Sequence, residues 1–453
     1  MADTSNQKGL SRDDSQALCE RILNMSSADH VRLNITSGWR GYTRVATNKI
    51  TSAGGSNDTS IRITSVFGKR VASVTTNRLE DALLKDAVRR SEALARLAPE
   101  NPEYLSELGP QDYAEVNGYY GSTGDMEPVA RAEAAALGIR KAQDEGFVAA
   151  GFMDVRAGTS AVATSSGLYA HHASTGVAST LTVRAPDGSS SGWAGDEAAD
   201  WQHIENLRVA QDASRKCADW KGKTMLDPGK YTVVLEPTAV GMLMSRMRGV
   251  FNARQADEGR SYFSNPDGGT RIGEKLFDER VSFRSDPTSR DSEASPFTGA
   301  GEANKARTWV ENGVLKNLAY SRYWAQQKDR PPLPGPSNFL MSGGDDSLDD
   351  MIASTERGVL LTRFWYIRGL NPRTISHTGL TRDGTFLIEN GKISRPVNNF
   401  RFNQSLVELL QNIEMIGRPV RVAATENSSV GSPIVVPPLK VRDFNLASVS
   451  DAI

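Results

Sequence analysis

The sequence has 453 residues, of which 38% are hydrophobic and 24% charged, and its net charge is −1. At about 150 residues per domain, this length is compatible with two large domains. The balanced charge argues against a protein that binds nucleic acid through bulk charge, because such domains are usually strongly basic. The two cysteines, Cys19 and Cys217, lie too far apart to predict a disulfide framework or a Cys-based zinc knuckle.

The sequence carries no signal for a membrane or for export. No stretch approaches the ~18 uninterrupted apolar residues of a membrane span. Residues 1–14 are polar, without the apolar core of a signal peptide, and are predicted to form a flexible tail. We therefore expect a cytoplasmic protein with no membrane partner.

Residues 15–226 are predicted to form a first domain of helices and strands. After a helix that begins near Ser15, the segments VRLNI, GYTRVATNKI and SIRITSVFGKRVASVTT alternate apolar and polar residues, which predicts adjacent strands. Capping signals predict further helices beginning near Asn77, Asp125 and Asp200. Strand-like segments separated by Gly and Ser precede the last of these helices, and they are typical of an antiparallel meander.

Residues 227–453 are predicted to form a second, strand-rich domain. Apolar residues recur at helical spacing over Val240–Phe251, which predicts an amphipathic helix. Asn312–Gly313 and Asn390–Gly391 predict two tight hairpin turns, since Asn-Gly supplies the positive φ that such turns need. The segment GVLLTRFWYIRGL predicts one apolar strand, and Ser405–Ile416 predicts a helix near the end of the domain.

Common catalytic motifs give no support for a particular chemistry. The sequence lacks a phosphate-binding glycine loop. One G-x-S-x-G match, Gly188–Gly192, follows a Pro-Asp break and is interpreted as a flexible loop. His171 and His172 are adjacent, so on a strand they point to opposite faces and do not share a metal. The acidic residues within 345–350 are interpreted as a solvated loop.

Two long segments identify a resemblance to a known family. VENGVLKNLAYSRYWA begins at Val310, and Gly358–Gly417 combines a WYI strand, a TRDGTF turn, an IENG hairpin, a PVNNFRF strand and a closing helix. This order resembles the TldD/PmbA family of peptidase-complex proteins. The resemblance implies an α+β fold, with an N-terminal α/β domain and a C-terminal domain dominated by a curled antiparallel β-sheet. It also implies two-subunit particles that enclose a cavity.

The sequence departs from the catalytic members of that family in one segment. In those members a helix carries HExxxH, a later cysteine adds a ligand, and zinc activates water for peptide hydrolysis. The corresponding segment here, EPTAVGMLMSRMRGVF, has no histidine and no glutamate after Glu236, and no cysteine follows Cys217. The resemblance therefore implies a metal-free TldE/PmbA-type subunit with no catalytic residue or metal ligand of its own. Zinc is expected in an HExxxH-containing TldD-type partner subunit.

The expected substrate of such a complex is an extended, unfolded or small peptide, modified peptides included. Backbone pairing along sheet edges suits such a substrate, because it tolerates many side chains. The candidate peptide-binding or cavity-lining residues form one turn and its neighbours: Thr381, Arg382, Asp383, Gly384, Thr385, Phe386 and His377. The loop Ser285–Glu302 is a further candidate for the cavity wall.

Two other hypotheses remain open from the sequence. The chain is alternatively a standalone homodimer that binds peptides without cutting them. In a third hypothesis it is an enzyme without zinc, in which His377 acts with Asp383.

Overall fold

The computed structural model describes residues 8–424 and 434–450, and it confirms the mixed α+β fold. The helices are α1 (Arg12–Leu23), α2 (Asp81–Leu97), α3 (Gly121–Gly124), α4 (Pro128–Asp144), α5 (Asn206–Asp219), α6 (Pro237–Met244), α7 (Ala253–Asp257), α8 (Arg322–Gln327), α9 (Leu348–Ala353) and α10 (Leu406–Gln411). The strands of the first half are β1 (His30–Ala46), β2 (Lys49–Phe67), β3 (Arg70–Thr76), β4 (Val148–Thr164), β5 (Tyr169–Arg184) and β6 (Ser191–Ala198).

The second half carries the remaining strands. They are β7 (Gly229–Leu235), β8 (Phe283–Ser285), β9 (Arg307–Glu311), β10 (Val314–Leu315), β11 (Phe339–Met341), β12 (Arg357–Leu361), β13 (Phe364–Asn371), β14 (Ser376–Thr381), β15 (Thr385–Glu389), β16 (Lys392–Pro396), β17 (Asn399–Ser405), β18 (Ile413–Ile416), β19 (Val420–Val422), β20 (Ile434–Val436) and β21 (Leu439–Ser450). The boundary at Leu226–Asp227 stays a prediction.

The first half is built on one antiparallel sheet with strand order β3-β2-β1-β4-β5-β6. Odd-numbered residues of β1, such as Val31, Leu33 and Ile35, are buried beneath α1 and α2. Farther along the same face, Val45 packs with residues of α4 and α5. Because strand side chains alternate between faces, the even-numbered residues of β1 lie on the opposite, helix-free face.

The first helix begins earlier than the sequence predicts. Ser11 caps it by accepting a hydrogen bond from the backbone N–H of Asp14 at 3.1 Å, and acidic residues in the first turn favour the helix dipole. Residues 12–14 of the predicted tail are therefore helical. Residues 1–7 lie outside the described residues.

The second half contains a six-stranded sheet, β10-β9-β8-β11-β20-β19, and a nine-stranded sheet. The nine-stranded sheet runs β13-β14-β17-β21-β7-β12-β15-β16, with β18 paired to β21, and most of its pairs are antiparallel. Both predicted Asn-Gly turns are confirmed, with Asn312 at φ 49° and Asn390 at φ 53°. The β7–β12 and β11–β20 pairs are parallel, which the sequence does not predict.

Two predicted elements of this half are wrong in extent. The predicted single strand divides at Thr362–Arg363 into β12 and β13, which pair with different partners in the sheet. The predicted helix from Ser405 ends at Gln411, because Ile413–Ile416 pairs with β21 instead. In both cases pairing with a distant strand overrides the local pattern.

The central helix α6 is shorter and more buried than predicted. It ends at Met244, and a 3-10 helix, Ser245–Gly249, follows it. Every residue of Ala239–Met244 is buried, so the helix is surrounded by protein and is not amphipathic. Gly241 allows close packing, because an added Cβ would lie 2.5 Å from Cγ2 of Val422.

Two facing glycines set the spacing at the centre of the first sheet. Gly38 of β1 pairs with Gly158 of β4. A Cβ added at Gly38 would lie 2.5 Å from the Ala157 carbonyl oxygen, and one at Gly158 would lie 2.5 Å from the Ser37 carbonyl oxygen. A side chain at either position would fit only if the backbone moved, so no side chain projects from the middle of the sheet at this point.

We expect Gly38→Ala to lower the free energy of unfolding by about 2 kcal/mol, because overpacking a close backbone contact forces the strands apart. Urea denaturation measures this change. Gly369→Ala is the matched control on strand β13, where the added Cβ meets nothing within 4 Å. Equal stability of the two variants would contradict the close-approach interpretation.

Candidate functional site

A polar groove lies on the helix-free face of the first sheet, above the paired glycines. This sheet groove has a volume of about 800 Å³. Its lining residues come from β2, β1, β4, β5 and β6, and from a segment of the second half that includes Glu293, Ala294 and Ser295. Five strands spaced ~4.8 Å apart span about 19 Å, which is the length of roughly six extended residues.

Hydrogen bonds hold that second-half segment above the sheet. The side-chain amide of Asn34 donates to the Gly299 carbonyl oxygen at 2.8 Å, and the Tyr113 hydroxyl donates to the Gly301 carbonyl oxygen at 2.7 Å. The Tyr120 hydroxyl donates to the Glu293 carboxylate, and burial together with that carboxylate raises the pKa of Tyr120 to about 12. Three residues of the predicted cavity loop Ser285–Glu302 thus line the groove.

A buried carboxylate organises the charges of the groove floor. Asp154 of β4 is fully buried, and its two oxygens lie 2.6 Å from Nε of Arg40 and 3.0 Å from a terminal nitrogen of Arg156. Both arginines line the groove, together with the buried Glu197 of β6. Such an arrangement offers guanidinium donors and a carboxylate acceptor to a polar ligand.

His172 lines the same groove and is nearly buried, at 8% exposure. Burial is the main reason that its pKa is lowered to about 4, and the neighbouring His171 lowers it further. The imidazole is therefore neutral at pH 7, with one nitrogen that donates and one that accepts.

The predicted site residues lie elsewhere, in a buried turn between β14 and β15. Thr381, Asp383, Thr385 and Phe386 are each at most 4% exposed, Gly384 is buried, and Arg382 is partly buried. Thr381 and Thr385 share the side-chain oxygen of Asn399, at 3.2 and 3.0 Å. The turn therefore has a structural role in this chain, and its contact with a peptide stays a prediction.

Asp383 connects the two halves of the molecule. Its carboxylate accepts a hydrogen bond from the Ser191 hydroxyl of β6 at 2.7 Å and one from Arg363 at 3.2 Å. The Arg363 guanidinium lies 4.3 Å from the ring centroid of Trp193 and 5.6 Å from that of Trp365. Ser191 belongs to the predicted G-x-S-x-G loop, but it is buried at the start of a strand.

His377 has other neighbours than the third hypothesis requires. It is partly buried on β14, and its Nδ1 lies 3.1 Å from the Ile375 carbonyl oxygen. Burial lowers its pKa, as does the nearby charge of Arg246. In the described part of the chain no hydrogen bond joins it to Asp383, whose oxygens are taken by Ser191 and Arg363.

Core side chains fill the segment Glu236–Phe251, which the resemblance compares with the family's HExxxH helix. Met244 and Met247 are fully buried in the largest hydrophobic cluster. Glu236, at the N-cap of α6, pairs with Lys216 of α5 at 2.5 Å. Over residues 8–424 and 434–450, no group of three or more His, Cys, Asp or Glu side chains is placed to hold a metal ion.

A second cleft, of about 840 Å³, opens beside the N-terminus of α6. Ala194–Asp196 of β6 and Val420–Val422 of β19 line it. Among the strands that the structure describes, each of these two is the edge of its sheet, so the cleft lies between two strand edges. Its charged residues include Lys216 and Glu236, which pair with each other.

Sequence profiles match most of the chain. Residues 122–218 match the PmbA/TldA metallopeptidase central domain, and residues 228–448 match the PmbA/TldA metallopeptidase C-terminal domain. The chain belongs to the TldD/PmbA family. This is a family of the TldD/TldE metallopeptidase type, as the resemblance implies.

Relatives of this TldD/PmbA chain include a metalloprotease of Methanothermobacter thermautotrophicus, 27% identical over 58% of this chain and 61% of the relative. A metalloprotease TldD homologue of Buchnera aphidicola is 26% identical over 43% of this chain and 42% of the relative. The chain thus spans about half the length of these relatives. The crystal structure of TldE from Thermococcus kodakarensis shares the fold, with a TM-score of 0.82, 18% identity, and coverage of 95% of this chain and 99% of that one.

No helix among the described residues of this TldD/PmbA chain has the length and apolar character needed to span a membrane.

The groove residues Arg40, Asp154, Arg156 and Glu197 were not predicted from the sequence. For Arg40, Asp154 and Arg156 the sequence carries one signal, a charged residue at an even position of a glycine-containing strand.

We expect Asp383→Asn to lower the free energy of unfolding by about 2 kcal/mol, because it removes one charge of a buried, hydrogen-bonded pair. Asp443→Asn is the matched control: Asp443 is exposed and has φ 59°, close to the 56° of Asp383. Thermal and urea denaturation measure both variants. A loss no larger than that of the control would show that Asp383 does not connect the halves.

The lowered pKa of His172 predicts a pH dependence of stability. Between pH 6.5 and about 4 the unfolded chain binds a proton that the folded chain does not, so stability falls as the pH falls through this range. At ~1.4 kcal/mol for each pH unit, the loss from this group is about 3 kcal/mol. We expect His172→Gln to remove that part of the slope in urea titrations, whereas the exposed His203→Gln keeps it. An unchanged slope in His172→Gln would contradict the assignment.

Proposed function

We propose that this chain is the noncatalytic, metal-free subunit of a TldD/TldE-type heteromeric zinc metalloprotease that processes unfolded or small peptides, modified peptides included. The observation that carries the proposal is the chemistry of Glu236–Phe251. That segment belongs to a TldD/PmbA chain, yet it has no histidine, and its glutamate pairs with Lys216. The proposed partner, a TldD-type subunit with HExxxH, supplies zinc and its activated water.

The packing of α6 supports this assignment. Thioether and aliphatic side chains fill the space around the helix, and Gly241 allows it to pack closely against Val422. A metal site would need charged or imidazole ligands with hydrogen-bonded partners behind them. The described residues around α6 instead form a continuous apolar core.

The proposed contribution of this chain is a wall that binds the peptide. The sheet groove has the length of about six extended residues and a floor without bulky side chains at Gly38 and Gly158. Arg40, Arg156 and Glu197 offer donors and acceptors to a peptide backbone. The same groove suits a narrow extended chain better than a folded protein. The chain and its partner are proposed to act together in the cytoplasm.

Metal content and peptidase activity test the proposal together. We expect the purified chain to contain far less than one zinc ion per molecule by mass spectrometry of its metals, and to leave an unstructured peptide uncut. Mixing with a TldD-type partner should give a heteromer by light scattering, with zinc in the partner and hydrolysis of the peptide.

The double variant Met244→Leu/Met247→Leu is the matched control. Because Leu and Met have similar volumes, we expect a loss of less than about 1.5 kcal/mol in stability per site and full activity of the mixture. One zinc ion per lone chain, or hydrolysis by the lone chain, would overturn the proposal. A stable homodimer that does not bind the TldD-type partner would favour the standalone peptide-binding hypothesis.

A further inference from the structure

A smaller pocket lies beside the sheet groove and is lined by positively charged side chains. This basic pocket has a volume of about 240 Å³ and shares Asn304 and Ser337 with the groove. Its cations come from three places: Lys305 lies just before β9, Arg307 begins β9, and Arg322 begins α8. The pocket therefore adjoins the groove at Asn304 and Ser337, and its cations make it positively charged.

The three cations have no acidic partner in the described part of the chain. Arg322 donates to the Ser106 carbonyl oxygen at 2.8 Å, while Lys305 and Arg307 are exposed. Over residues 8–424 and 434–450, no carboxylate forms an ion pair with them within 4.0 Å. This contrasts with the two arginines of the groove floor, Arg40 and Arg156, which both form ion pairs with Asp154.

One acidic residue, Glu302, lines the pocket and reduces its charge. Its Oε1 is buried without a hydrogen-bond partner in the described structure. Burial raises the pKa of Glu302, and the charge of Arg322 opposes that rise. Even with Glu302 ionised, three cations against one carboxylate leave an excess of two positive charges.

The pocket also has a fixed floor and an unused hydroxyl. Trp309 is 1% exposed, and its indole N–H donates to the Ser285 hydroxyl at 2.9 Å. The Ser337 hydroxyl, at the junction with the groove, is buried without a partner in the described structure. An anion at the junction would satisfy that hydroxyl and would be held by the cations beyond it.

We propose that the basic pocket binds a carboxylate group of a peptide whose backbone lies in the sheet groove. This inference rests on the proposed peptide-binding function and adds a charge preference to it. The carboxylate belongs either to an acidic side chain or to the C-terminus of the peptide. Guanidinium and ammonium groups from three elements favour a carboxylate over a neutral amide, because charge-assisted hydrogen bonds are about twice as strong.

Three short fluorescein-labelled peptides of otherwise identical, unstructured sequence test the inference with the full chain. One has an internal Glu and an amidated C-terminus, one has Gln and a free C-terminus, and one has Gln and an amidated C-terminus. By fluorescence anisotropy, we expect one of the first two to bind roughly ten-fold more tightly than the third. Which of them does so identifies the source of the carboxylate.

The double variant Lys305→Ala/Arg307→Ala should abolish that preference while leaving the affinity for the third peptide unchanged. Arg284→Ala is the matched control. Arg284 is an exposed arginine of β8. The next residue, Ser285, pairs with Arg307, so Ser285 and Arg307 lie on the same face of the sheet. Because successive strand residues alternate between faces, Arg284 lies on the face opposite to Arg307. We expect the control to keep the preference. Glu302→Gln should strengthen it, since this variant removes a negative charge from the pocket.

Equal affinity for the three peptides would overturn the carboxylate inference and leave the peptide-binding function standing. A preference that survives Lys305→Ala/Arg307→Ala would also overturn it. If none of the peptides binds to the chain, alone or with its TldD-type partner, the proposed function fails as well.

Discussion

The buried carboxylate of Asp383 fixes how the two halves of this molecule lie against each other. It accepts hydrogen bonds from Ser191 of the first sheet and from Arg363 of the second half, and Trp193 covers the Arg363 guanidinium. A charged pair this deeply buried is costly to break, because a lone charge would remain without solvent. The pair of Lys216 with Glu236 makes a second connection at the start of α6.

Because the halves are fixed in this way, the second half covers the helix-free face of the first sheet. Asn34 and Tyr113 bind the covering segment at Gly299 and Gly301, and the space left beneath it is the sheet groove. Because Gly38 and Gly158 have no side chains, nothing projects into that space from the middle of the sheet. The groove thus results from the packing of the two halves together with the strand spacing, and neither half forms it alone.

The sequence predicted the features that depend on neighbouring residues. The Asn-Gly turns at Asn312 and Asn390 and the antiparallel strands of the first half follow from local turn chemistry and alternation, whereas the family resemblance implied the α+β fold. The family resemblance supplied the order of elements in the second half. The helix over Val240–Phe251 was predicted too long, because the apolar spacing continues beyond Met244, where the chain changes to a 3-10 helix.

The site could not be predicted in the same way, because distant strands build it. Arg40 and Asp154 are 114 positions apart, and only the register of β1 with β4 places them together. The turn around Asp383 resembles a functional motif in the sequence, yet its partner Ser191 lies 192 positions away and makes the turn part of the core. Residue type alone does not distinguish a ligand-binding carboxylate from one that connects two sheets.

The most direct test of this account is a crystal structure of the chain in complex with a TldD-type partner and an unstructured peptide, with anomalous scattering recorded at the zinc edge. We expect peptide density across Gly38 and Gly158 in the sheet groove, and an anomalous zinc peak held by the partner. A zinc peak coordinated by side chains of this chain, or an empty sheet groove with the peptide bound elsewhere, would contradict it.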